Sequence, residues 1–322
     1  MTKKHTLSLL TLMIALASGA AMPGMAQTSA AYNGRSEPAA VHNSWSLGAA
    51  MPTARQWPEV GVIGKNIYVV GGNTNGGVTG ANEIYNTKTN TWTTGAPDPT
   101  PRCFGVGAVV KGILYVIGGE TNSQQTTNIV ESYNPVTDTW TTGLAPMPTS
   151  RNSIRAAVDN NIIYVIGGCC GGPRDANVES YDPATNTWTE EAPMFVGKSD
   201  SAVGLLGGTI ISAGGLANSG LTEDNEGYKV KKNSWATLTP SPNEMGGGCT
   251  MTFGGQLYSE AYGSEPNLFQ AYSLKTNSWT TGLASLPQPV IVSTSAEVGG
   301  RLYCFGGLQN GNPVDYVQIY QP

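Results

Sequence analysis

Five apolar runs punctuate the chain, each no longer than a short strand, and each stops at a glycine pair. They are NIYVV before Gly71-Gly72, ILYVI before Gly118-Gly119, IIYVI before Gly167-Gly168, TIISA before Gly214-Gly215 and RLYCF before Gly306-Gly307. The steps between first glycines are 47, 49, 47 and 92 residues, the last twice 46. The skipped register holds QLYSEAY, with Ala261-Tyr262 where the glycines would stand. Runs this short, rich in β-branched and aromatic residues and bounded by turn formers, predict strands. Six repeating units follow, the fifth degenerate.

A second pattern runs in step. Tyr85 and Trp92, Tyr133 and Trp140, Tyr181 and Trp188, Tyr228 and Trp235, and Tyr272 and Trp279 are each seven residues apart, across turn-rich segments. Tyr320 has no following Trp, whereas Trp45 stands near the start with no Tyr seven residues before it. The repeat is therefore permuted across the termini, and Trp45 is expected to supply the outer strand of the last unit. Lys111-Gly112, Gly207-Gly208, Gly254-Gly255 and Gly299-Gly300 predict tight hairpins between the first two strands of their units. A lone four-stranded sheet cannot bury both faces, so the units are expected to stack radially. The repeated Tyr and Trp are expected to fill the space between sheets.

An apolar strand ending in Gly-Gly, then Tyr, then Trp, at a period near 47, resembles the kelch repeat. The resemblance covers about residues 41–322 and implies an all-β fold, a six-bladed kelch-type β-propeller whose last blade is closed by the N-terminal strand. The shared residues are structural and imply little about function.

Composition supports this reading and removes several alternatives. Charged residues are only 12%, against 42 glycines and 20 prolines, which argues against charge-laced helices. A net charge of −5 gives no electrostatic support for a nucleic-acid partner. His5 and His42 are the only histidines, so a histidine-based metal site or triad has almost nothing to work with. No cofactor is expected. Lys3, Lys4 and His5, the apolar run from Leu7 to Ala17 and the small residues at Gly24 and Ala26 predict a signal peptide over 1–26. A leader is expected over 27–40 and the propeller over 41–322. The product would be an exported protein, periplasmic or secreted, without membrane insertion. Five cysteines leave at least one unpaired; a vicinal Cys169–Cys170 disulfide is one option, and Cys103, Cys249 and Cys304 suggest no pairing.

With strands named a to d from the axis outward, the d–a connections and b–c loops share one face and are the long ones. The site is expected at that mouth of the central channel. Aligning the a strands places Arg55, Arg102, Arg151, Lys198, Met245 and Val290 at a first position, and Trp57, Phe104, Ser153, Asp200, Gly247 and Val292 at a third. The fifth holds Glu59, Val106, Arg155, Ala202, Cys249 and Thr294. Strand alternation predicts that all three sets face the channel. The basic first position is assigned a scaffold role. Trp57, Phe104, Arg155 and Asp200 are the candidate ligand-binding residues: aromatic faces for sugar C–H groups, and charged groups for hydroxyls or a carboxylate. Arg155 and Asp200 can equally form a salt bridge. Glu260 falls where other units carry Val70, Ile117, Ile166, Ala213 and Phe305, so it is either a desolvated acid or a mark of a degenerate blade.

The expected function is recognition of a glycan or a protein at the d–a/b–c face. The alternative is a carbohydrate epimerase. The resemblance extends to exported kelch propellers that epimerise N-acetylneuraminate, and this would make Glu59 and Glu260 the acid–base residues and Arg155 the carboxylate partner.

Overall fold

The computed structural model describes residues 42–169, 172–246, 248–261 and 268–322. The expected signal peptide and leader, Cys170 and the Tyr262 register lie outside them. Among the described residues, six antiparallel four-stranded sheets follow one another along the chain. In blade 1 the strands are Glu59–Ile63, Asn66–Val70, Asn82–Asn86 and Thr91–Gly95, hydrogen-bonded in that order. Blades 2 to 5 repeat the plan, with a strands at Val106–Val110, Arg155–Asp159, Ala202–Leu206 and Thr250–Phe253. Blade 6 takes Thr294–Val298, Arg301–Phe305 and Val317–Gln321 from the C-terminal end and Ser44–Leu47 from the N-terminal end. Trp45 stands opposite Tyr320 in that pairing, so the ring closes as the permuted repeat predicts.

The core is divided among the seams. One cluster joins Ile67, Val69 and Tyr85 of blade 1 to Tyr303, Phe305 and Val317 of blade 6; others join blades 2 and 3, and 5 and 6, in the same manner. The six c-strand tyrosines are fully buried within these seams. Each Trp indole donates to a carbonyl of the preceding blade's d–a connection: Trp92 to Ala49, Trp140 to Ala96, Trp188 to Ala145, Trp235 to Ala192, Trp279 to Thr239 and Trp45 to Ala284. The Tyr–Trp pair is thus a staple between blades, apolar on its faces and polar at its tips.

The glycine pairs serve one contact. Gly71 and Gly72 adopt φ of +65° and +96°, and the Gly72 N–H donates to the Arg102 carbonyl of the next blade at 2.8 Å. A Cβ on Gly71 would collide with that same carbonyl, so both the left-handed backbone and the close approach exclude other residues. Cys249 of blade 5 and Cys304 of blade 6 form a disulfide with Cα atoms 5.7 Å apart, a pairing that the sequence left unassigned. Among the described residues no helix is long and apolar enough to cross a membrane.

Candidate functional site at the channel mouth

Strand alternation fails ahead of five a strands, Gly247 of blade 5 lying outside the described residues, and this corrects the expected lining. The third-position residues Trp57, Phe104, Ser153, Asp200 and Val292 all have left-handed backbones, with φ between +49° and +60°. Five non-glycine residues hold this costly conformation at one register because the surroundings impose it. Phe104 N–H donates to Trp57 O, Ser153 N–H to Phe104 O, Asp200 N–H to Ser153 O and Trp57 N–H to Val292 O, at 2.8–3.3 Å. Among the described residues these bonds form an open head-to-tail hoop of backbone from blade 6 through blades 1, 2 and 3 to blade 4.

The reversal at the third position turns the first-position side chains away from the channel and into their blades. Arg55, Arg102, Arg151 and Lys198 are fully buried. They pair with c-strand carboxylates 28 or 29 residues later: Arg55 with Glu83 at 2.7 Å, Arg102 with Glu131, Arg151 with Glu179 at 2.6 Å and Lys198 with Glu226 at 3.5 Å. Arg55 also donates to the carbonyls of Val69, Gly71 and Ala81. Desolvation lowers the pKa of Arg55 and of Lys198, against the pull of their carboxylate partners. Blades 5 and 6 have Met245 and Val290 at the first position, and there the partner is Gln270 or Gln318. Cation and anion are lost together, since a buried carboxylate without its cation is costly. The scaffold role expected for this position holds; its direction and its carboxylate partners were missed. The signal was available, because the Glu-to-Gln change tracks the loss of the basic residue unit by unit.

Trp57 and Phe104 stand side by side on blades 1 and 2, both half-buried. Their rings stack at 3.7 Å between centroids with 29° between planes, forming one continuous aromatic platform. Arg155 reaches Asp200 on the next blade at 3.3 Å, with side-chain exposures of 25% and 12%. Its other guanidinium nitrogen donates to Ile154 O at 3.1 Å. Trp57, Phe104 and Arg155 line a cavity of about 150 Å³ together with Gly105, Gly248, Thr250, Ser293, Thr294 and Ser295 and the apolar Ile154, Ala156 and Val203, while Asp200 stands beside it, held to Arg155. Away from the aromatic platform the lining mixes the hydroxyls of Thr250, Ser293, Thr294 and Ser295 with Gly248 and the apolar Ile154, Ala156 and Val203.

Glu59 borders this cavity but does not present its carboxylate to the channel, as the alternation had led us to expect. It is 1% exposed and wedged in the seam between blades 1 and 2. Its Oε1 accepts from the Gly105 N–H at 2.9 Å, and a Cβ on Gly105 would crowd that oxygen. Glu260, 2% exposed, lies against Gly248 in the same manner, and its Oε2 accepts from the Cys249 N–H at 3.4 Å. Gly105 and Gly248 occupy the same register, where the other four blades carry Pro58, Ile154, Ser201 and Ser293. Each carboxyl therefore fills the space of a missing side chain. Burial pushes both up to about 8; for Glu59 the nearby Arg102 opposes the shift, and for Glu260 the backbone bond from Cys249 does.

Comparison with known proteins agrees with this architecture. The KLHDC2/KLHL20/DRC7 Kelch-repeats domain matches residues 58–258, more than half of the chain. No curated protein matches the sequence. Among solved structures, that of YjhT aligns with a TM-score of 0.72 at 20% identity, covering 83% of this chain and 94% of that one; the likeness concerns the fold.

Proposed function

The chain belongs to the Kelch-repeat family, and from that premise we propose that it is a carbohydrate-recognition propeller whose ligand sits in the channel mouth. The observation that carries this reading is the stacked Trp57–Phe104 platform on a cavity whose lining includes four hydroxyl side chains and Arg155, itself paired with Asp200. A sugar ring offers C–H faces to aromatic groups and hydroxyls to polar ones, which is the division this mouth provides. A concave pocket favours a small ligand over a flat protein surface. Export to the periplasm or medium is part of the proposal, and cell fractionation tests it.

Glycan-array binding and ligand-observed NMR test the reading. Wild type binds a saccharide, while Trp57→Ala and Phe104→Ala lose it and keep native circular dichroism. Binding that survives both changes moves the site away from this mouth.

A second reading, a sugar-ring epimerase, is favoured by one observation: two buried carboxyl groups, Glu59 and Glu260, adjoin glycines that line the cavity. Carboxyls with raised pKa can donate and accept protons near neutral pH. Faster anomer exchange with wild type than with Glu59→Gln and Glu260→Gln supports catalysis; no acceleration leaves recognition alone.

A further inference from the structure

The charge balance of the mouth narrows the ligand further, given the carbohydrate reading above. Of the described residues lining the cavity, only Glu59 and Arg155 are ionisable. The Glu59 carboxyl is buried and largely uncharged at neutral pH. The Arg155 guanidinium is already matched by Asp200 at 3.3 Å, with a second nitrogen on the Ile154 carbonyl. The other nearby cations, Arg55, Arg102, Arg151 and Lys198, are turned into their blades and paired. A carboxylate-bearing sugar would therefore have to displace Asp200 or sit beside it, like charge against like charge. The mouth portion of the channel is also small, about 150 Å³, against the ~300 Å³ at which ordinary ligand pockets begin; the cavity of about 230 Å³ that adjoins it shares Val60, Gly107, Ala156 and Ser295 and adds no ionisable residue.

From this geometry we infer that the mouth accepts a single uncharged sugar ring, and that Asp200 sets the specificity by occupying Arg155. Selectivity is a difference between two affinities, and here it is built by withholding the cation from acidic competitors. The inference predicts a switch. Replacing the carboxylate of Asp200 by an amide keeps its shape and frees the guanidinium for an incoming carboxylate. Asn also tolerates the left-handed backbone of this position, φ +55°.

The test compares methyl glycosides of glucose, galactose and mannose with their matched uronates, by saturation-transfer NMR and Trp fluorescence titration. Wild type prefers the neutral member of a bound pair. Asp200→Asn moves the acid-to-neutral ratio by about tenfold or more toward the acid, the size of one charge-assisted hydrogen bond gained. Arg155→Gln in the Asp200→Asn background returns the ratio toward wild type, which separates a charge effect from a damaged fold. A wild type that prefers uronates, or a ratio unmoved by Asp200→Asn, overturns the inference while leaving carbohydrate recognition intact. Absence of binding to every sugar overturns both.

Discussion

The buried cation–carboxylate pairs can be tested with a substitution the protein itself contains. Arg55→Met and Glu83→Gln together install in blade 1 the combination that blade 5 carries as Met245 and Gln270. In blade 5, Gln270 donates to Ser241 Oγ at 2.7 Å and accepts from Asn243 at 3.1 Å. In blade 1, Thr53 Oγ1 donates to Glu83 Oε1 at 2.6 Å and can serve a glutamine there equally well. Arg55→Met alone strands a buried carboxylate and removes donors from three carbonyls. Glu83→Gln alone strands a fully buried guanidinium. Each single change should cost about 3–5 kcal/mol, as breaking one side of a buried ion pair does. The double variant should cost only about 2 kcal/mol, chiefly the lost bonds to Val69, Gly71 and Ala81. The interaction energy is then about 4 kcal/mol or more in a double-mutant cycle. Guanidinium chloride unfolding followed by Trp fluorescence measures all four proteins. Single costs that add to within ~0.5 kcal/mol in the double variant would refute the view that charge is lost pairwise.

Three further outcomes follow from the geometry. Glu59 and Glu260 have folded-state values raised to about 8 from an ordinary 4.5, so the folded state holds protons that the unfolded chain releases. Stability from these groups is full below about pH 4.5 and is lost as pH rises through 8, at ~3 kcal/mol each by pH 7. Denaturation midpoints of Glu59→Gln and Glu260→Gln should show a flatter pH slope across this window; an unchanged slope removes the burial argument. Trp45 packs on Phe269 and Tyr320 and bonds Ala284, so Trp45→Ala should cost ~3 kcal/mol or more. Deleting 41–46 should leave Val317–Gln321 as an open edge and produce aggregates by light scattering; a monomer of unchanged melting temperature contradicts closure.

The architecture was legible because it is written six times over. Glycine pairs, Tyr and Trp recur in step, and each of these types has a narrow range of structural uses, so their repetition fixed blade count, closure and the seam packing. The mouth was legible only in part. Trp57, Phe104 and Arg155 do line one cavity, and Asp200 joins them through its pair with Arg155. The first-position cations and Glu59 were misdirected, because the left-handed turn at the third position is taken up by Trp, Phe, Ser, Asp and Val alike. None of these residues advertises a positive φ, so simple alternation read straight through the reversal. The glycine cradles of the two acids were hidden for a different reason. Gly105 and Gly248 are two among 42 glycines, and only the neighbouring carboxyl gives them meaning. The Cys249–Cys304 link depends on two strands of neighbouring blades facing each other, which no spacing along the chain encodes.

The backbone hoop at the mouth has a consequence for how such a protein can change its ligand. From blade 6 through to blade 4 the third-position peptide groups of the rim are committed to one another, so they offer little to a bound molecule and ask little of the side chains they carry. What the mouth recognises therefore rests on side chains that point off a self-sufficient support. Residues as unlike as Trp57, Ser153, Asp200 and Val292 already sit on that support in a single molecule. Diversifying these positions together, with the first-position pairs and the glycine pairs left untouched, should yield folded rings of altered taste. A lineage could cross from one ligand to another by the same route, one blade at a time, without passing through an unfolded ancestor.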